Sequence, residues 1–191
     1  MEAELKTDNI VIAAVGMCGT GKSVVTQYIE KKYNFKSIYF GGFILEEVKR
    51  RGLEINSTNE KIVREDLREK DGLDAVAKLA LSRINTYLAD GENVIIDGLY
   101  SFSEYVFLKE KLEKPLALIA VHSPKQLRYD RLGVREIRPL TPQQVDERDF
   151  VEIKNIEKAG PIAIADFHII NSGNFQDLYQ NIDSIFNEII N

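Results

Sequence analysis

The chain has 191 residues, a formal net charge of −5, one cysteine and no tryptophan. That length suits one domain, 1–191, with its own core, and the acidic balance argues against nucleic acid or anionic membranes as partners, since both require a basic face. Cys18 alone permits no intrachain disulfide, which fits a cytoplasmic protein; no apolar run approaches the ~20 residues that cross a bilayer, and Met1–Asp8 lacks the features of a signal peptide.

Asn9-Ile10-Val11-Ile12-Ala13-Ala14-Val15 reads as a short strand buried on both faces. The next eight residues, Gly16-Met17-Cys18-Gly19-Thr20-Gly21-Lys22-Ser23, fit the G-x-x-x-x-G-K-[ST] phosphate loop in full, and Val24–Lys32 continues as a helix. Strand, glycine loop and helix together are the setting this motif requires. The glycines let successive N–H groups turn toward phosphate oxygens, and the helix N-terminus adds partial positive charge. Lys22 supplies a mobile cation for the β- and γ-phosphates, and Ser23 a hydroxyl for Mg²⁺. The expected ligand is therefore ATP with Mg²⁺, bound by Gly16, Met17, Cys18, Gly19, Thr20, Gly21, Lys22 and Ser23.

Ser37–Phe40 follows as a second strand, Gly41-Gly42 as a turn, and Phe43–Arg51 as a helix ending at Gly52. Ser57-Thr58-Asn59-Glu60 has the form of a capping box opening a charged helix, Lys61–Lys70. From Leu73 to Leu88 apolar residues recur at the three-and-four spacing of a core-facing helix. Val94–Gly98 is the third strand, Leu116–Val121 an interior fourth, and Phe167–Ile170 the fifth. Ser101–Glu104, Ser123–Gln126 and Thr141–Gln144 read as further capping boxes, and Phe175 to about Ile189 as a closing helix. Strands alternating with helices predict an α/β fold: a three-layer, doubly wound, five-stranded parallel sheet with its ligand site at the strands' C-terminal ends. Two segments lie outside the minimal sheet, an acceptor-binding candidate at 41–72 and a lid candidate at 128–141.

Asp97 ends an apolar strand before Gly98, where phosphate-loop proteins place an acid on Mg²⁺, so Ser23 and Asp97 form the metal candidates. Arg128, Arg131, Arg135 and Arg138 recur every three or four residues just after the fourth strand. Guanidinium forks suit the charge that spreads over a migrating phosphoryl group, which nominates Arg128 and Arg131 as catalytic and Arg135 as ATP-binding. Asn171-Ser172-Gly173 reads either as the adenine border or as a plain strand-to-helix turn. His122 and His168 read as structural.

The loop, the Asp97-Gly98 pair, the arginine run and the Ala165-Asp166 to Asn171 ending resemble the nucleoside monophosphate kinase and dephospho-coenzyme A kinase group, nearest an adenylate-kinase-related branch found in archaea. The likeness spans nearly the whole chain, Arg148-Asp149 included. It implies a nucleotide-kinase-like fold with a mobile lid at Arg128–Arg138, a donor site at Gly16–Ser23 and an acceptor region at Gly41–Gly72. Such relatives usually carry an arginine where Phe43-Ile44-Leu45 stands and another near Leu99-Tyr100-Ser101, or an aspartate near Phe40-Gly41-Gly42. The donor half thus matches and the acceptor half departs. The expectation is an ATP-dependent kinase of a small phosphate-accepting metabolite; a regulatory nucleotide-binding module or an ATPase that keeps only the donor site is the alternative.

Overall fold

A computed structural model describes residues 9–136 and 139–190; Met1–Asp8 and Arg138, both named above, lie outside them. Five strands form one parallel sheet: β1 (Val11–Val15), β2 (Lys36–Tyr39), β3 (Val94–Asp97), β4 (Leu116–His122) and β5 (Phe167–Ile170), in the order β2-β3-β1-β4-β5. Every residue of β1 is buried, as an unbroken apolar run with parallel neighbours on both sides requires. Its two faces feed different layers. Ile12 packs with Val25, Ile29 and Phe186 from α1 (Lys22–Tyr33) and α9 (Phe175–Ile190). Val11, Ala13 and Val15 point the other way, into a core shared with α2 (Phe40–Arg50), α4 (Ala75–Ala89) and α5 (Phe102–Lys111). This is the doubly wound α/β arrangement expected from the alternating elements.

Outside the layers, α3 (Ser57–Asp71) packs on α2 and α4. Beyond β4 come α6 (Lys125–Gly133), α7 (Pro142–Ile156) and the short α8 (Ala159–Ala163), and Leu132 and Val145 close over Cys18 in a small apolar cluster of their own. No helix among the described residues is long and apolar enough to cross a membrane.

Three local expectations need correction. Gly41-Gly42 is no turn: α2 starts at Phe40 and runs through both glycines, because Phe40 and Phe43 are each buried in the core and hold the helix there. The cap of α3 is Asn56, whose side chain accepts the Asn59 N–H, so the cap lies one residue before the Ser57 read for it. Ser123 does not cap α6. Its hydroxyl bonds the Asn171 and Thr20 carbonyls instead, a long-range tie that a local motif cannot show. The boxes at Ser101–Glu104 and Thr141–Gln144 form with both reciprocal bonds.

The layer beneath the phosphate loop hangs on Phe186, which is fully buried, stacked on Tyr33 at 4.0 Å between ring centroids and edge-on to Phe35 at 5.6 Å. Phe186→Ala should lower the unfolding free energy by about 3–5 kcal/mol through the cavity it leaves. Urea unfolding checks this, with the midpoint falling and the slope unchanged.

Candidate active site

The centre of the site is the turn that joins β1 to α1. Gly16 takes a φ of 144°, and a side chain there would run into the Val121 carbonyl oxygen on β4. Gly21, the residue before α1, takes a φ of 93° and lies against the Asn171 side-chain amide. Both positions demand glycine on grounds of conformation and space.

Between them every carbonyl has a donor. Lys22 Nζ bonds the oxygens of Gly16 at 2.9 Å and Met17 at 3.0 Å. Arg128 Nε bonds Cys18 O at 2.7 Å, and an Arg131 terminal nitrogen approaches Gly19 O at 3.4 Å. Asn171 Nδ2 and Ser123 Oγ both bond Thr20 O, at 2.9 and 3.2 Å. Side chains thus hold the loop's carbonyls, and the Thr20 N–H turns back onto the Met17 oxygen at 3.4 Å. No side chain caps α1 at Gly21, so the helix start keeps the orphan N–H groups that bind anions.

The predicted residues sort accordingly. Asp97, at the end of β3, pairs in register with Ala14 and sits beside Ser23 and Lys22. Burial pushes its carboxyl upward from the ordinary value, while the Ser23 hydroxyl and the Lys22 charge favour ionisation. Arg131 also bonds Ser123 Oγ at 2.9 Å and both oxygens of Asn171, so it braces the loop against the end of β5. Asn171 is itself a brace, buried with its amide on the loop. Cys18 is buried under α6 and α7. Arg135 is exposed past the end of α6.

Arg128 departs from its expected place at the migrating phosphoryl group. It is 6% exposed, and one terminal nitrogen donates to both oxygens of Asp149 on α7 while Nε holds Cys18. The guanidinium is enclosed by the protein's own acceptors, which makes it a strut between the loop and α7.

Sequence reasoning missed a second group of charges facing Lys22. Lys158, just before α8, is 2% exposed and bonds Glu152 Oε2 at 2.6 Å, with its ammonium 5.1 Å from the centre of the Tyr100 ring. Arg148 on α7 bonds the other Glu152 oxygen at 2.8 Å and remains partly exposed. Burial opposes the Glu152 charge, but the Lys158 and Arg148 cations hold its carboxyl at about 2. The pairing of Arg148 with Asp149 in the resemblance was the one sequence signal for this group; nothing local marks Lys158.

Burial, reinforced by the Lys158 charge, lowers the Lys22 ammonium to about 7. A polyphosphate beside it would favour the charged form and raise that value again. Above pH 7 binding therefore recruits a proton, and affinity weakens as pH rises through and beyond about 7.

A parallel sheet in this order, with a glycine loop and a lysine at the tip of its central strand and an acid at the tip of the next, defines a phosphate-loop protein of the kinase-like kind. Residues 15–178 match the AAA domain family. The UPF0200 protein of Thermococcus kodakarensis is 33% identical over 184 residues, covering 95% of this chain and 98% of the relative. The chain belongs to the AAA domain family and to the UPF0200 family. In fold it is similar to a gluconokinase from Sinorhizobium meliloti, with a TM-score of 0.59 at 13% identity over 97% of this chain and 95% of that one. A shikimate kinase from Bacteroides thetaiotaomicron gives 0.60 at 12% identity over 94% and 98%.

Tripolyphosphate binding at pH 8 should take up close to ~1 proton, and Lys22→Met should abolish the uptake. Calorimetry in buffers of differing ionisation enthalpy measures it; equal heats in all buffers for the unaltered protein would contradict the electrostatic account of Lys22.

Proposed function

We propose that the protein is an ATP-dependent phosphotransferase acting on a small, nucleotide-like acceptor. The observation that carries this reading is the loop itself. Its carbonyls are all occupied by Lys22, Arg128, Arg131, Asn171 and Ser123, and the uncapped start of α1 is left for polyphosphate. The kinase-like fold of the structural neighbours agrees with it.

Ser23 and Asp97 offer hydroxyl and carboxylate oxygens side by side, a hard donor set that suits magnesium bound through one or two protein groups and phosphate oxygens. When bound there, magnesium would supply charge neutralisation for the β- and γ-phosphates. The chain's own residues do the remainder. Lys22, freed from the Gly16 and Met17 carbonyls, follows the phosphoryl oxygens. Arg131 and Arg128 keep the loop in shape, so we assign both a positioning role. Among the described residues Arg148, partly exposed, is tethered through Nε alone, and it and the exposed Arg135 are the arginines placed to offer donors to the transferred group. Closure of α6 and α7 over the loop would exclude water and suppress hydrolysis.

A regulatory module or a simple ATPase would need only the donor half. The Arg148–Glu152–Lys158 network near Lys22 favours transfer, because a hydrolase has no use for a second charged cluster there.

Lys22→Ala should reduce ADP formation with an acceptor by ~10²–10³-fold while the far-UV circular dichroism stays unchanged. ADP release is followed against a panel of nucleoside monophosphates, nucleosides and dephospho-coenzyme A, and unaltered turnover refutes the role. Arg128→Met should instead lower stability by about 3 kcal/mol, since it strands the Asp149 carboxylate. A thermal melt that matches the unaltered protein, alongside lost turnover, would return Arg128 to the reacting group.

A further inference from the structure

Among the described residues two buried side-chain atoms lack a hydrogen-bond partner: Arg68 Nε on α3 and Glu104 Oε1 on α5. One belongs to a cation and the other to a carboxyl group. Their charges act on each other, and each favours the ionised form of its neighbour. Buried polar atoms of this kind are few in folded proteins, because each has given up its hydration for nothing. Two complementary ones within reach of each other's charge are an ion pair left unmade.

The capping box of α5 explains why. Glu104 is wholly buried, and its Oε2 accepts the Tyr100 N–H at 2.6 Å and the Ser101 N–H at 3.0 Å. With two donors on Oε2, a proton on this carboxyl sits on Oε1. A protonated Oε1 is a donor, and so is Arg68 Nε, so the neutral acid cannot join them. A bare carboxylate oxygen is an acceptor only, and it can. Burial pushes the carboxyl up to about 7, while the two backbone N–H groups and the Arg68 and Lys158 charges favour ionisation. Near neutral pH the group therefore stands between its two forms.

The surrounding charges are committed elsewhere. Arg64, one turn before Arg68, adds a like charge that disfavours its neighbour's. Glu152 favours the Arg68 charge but is bonded by Arg148 and Lys158. Lys158 lies over the Tyr100 ring as well. On α4, Lys78 is paired with Asp74 and Arg83 with Glu46. Glu60 on α3 is engaged too.

We infer that Arg68 and Glu104 form a proton-operated clasp: loss of the Oε1 proton to solvent joins the carboxylate to the Arg68 Nε–H and draws α3 onto the start of α5. Both helices pack on α4, which gives them a common platform. α3 belongs to the arm at 41–72, and α5 follows the turn that begins at Asp97-Gly98, so the clasp sets how close the arm stands to that turn. The joined carboxylate has a cation bonded to it and holds a proton less tightly than the unjoined one. Raising the pH through about 7 therefore fills the joined state, and lowering it empties that state. The clasp does not depend on which reaction the protein performs.

Nuclear magnetic resonance on the full chain tests this between pH 5 and pH 8. The Glu104 carboxyl carbon should titrate near 7, and the Arg68 Nε–H signal should move with the same midpoint. The α3 amides should gain ~10-fold protection from hydrogen exchange across that step, after correction for the intrinsic rate. Glu104→Gln keeps an oxygen for the two backbone N–H groups but cannot ionise, so the Arg68 and α3 responses should both vanish. Arg68→Met should raise the Glu104 midpoint, because the cation favouring the charged form is gone. Arg50→Gln, on the exposed surface of α2, should leave the α3 response as it was. A Glu104 midpoint near the ordinary 4.5 would mean that Oε1 is wetted, and overturns the inference. So does an Arg68 signal that ignores the Glu104 step, or α3 protection whose pH dependence survives Glu104→Gln. A Glu104 midpoint that Arg68→Met fails to raise overturns it equally.

Discussion

The rest of the site depends on where the carbonyl oxygens of one short loop point. A peptide unit carries its N–H and C=O on opposite sides, so an amide aimed at a ligand implies a carbonyl aimed away, and a buried carbonyl demands a donor. Here the donors come from far along the chain. Lys22 is local, but Ser123 follows β4, Arg128 and Arg131 lie on α6, and Asn171 follows β5. That explains the sheet order in functional terms. β4 sits next to β1 and β5 next to β4, so the residues at their C-terminal ends reach the back of the loop, while β3 delivers Asp97 on the opposite flank. Binding geometry is thus held by non-local hydrogen bonds, which costs little at the moment a ligand arrives because the loop is already shaped.

Preorganisation concentrates positive charge. Burial, and after it the nearby Lys158 charge, disfavours the proton on Lys22. Glu152 tempers this by binding Arg148 and Lys158 together, so the network is satisfied internally while Lys22 responds to what enters. On α3 the balance differs: burial disfavours the Arg68 charge, while the Glu104 and Glu152 carboxylates favour it.

The sequence made the donor half of the site legible because its information is local. Eight consecutive residues fix the loop, and apolar runs flanked by glycines mark the five strands, since buried parallel strands have no polar face to confuse the pattern. The failures occurred wherever a distant partner decided the outcome. Gly41-Gly42 has turn-like composition, yet Phe40 and Phe43 in the core keep it helical. Ser123-Pro124 mimics a cap, yet its hydroxyl answers to Thr20 and Asn171. Their position after β4 carries Arg128 and Arg131 to the loop, but which side of it they serve depends on Asp149 and Asn171. Lys158 in a short polar stretch carried no local mark at all.

This asymmetry is physical. A polyphosphate can be held by main-chain amides, so a contiguous motif suffices for it and the same motif serves many proteins. Side chains that meet near Tyr100 carry no such motif, because they come from α3, the turn after β3 and the residue before α8. Only packing α3 on α2 and α4, and closing α7 back over Cys18, brings those elements to one place. Where the resemblance leads one to expect arginines stand Phe43-Ile44-Leu45 and Leu99-Tyr100-Ser101, and three of those positions build core: Phe43, Ile44 and Leu99 are buried.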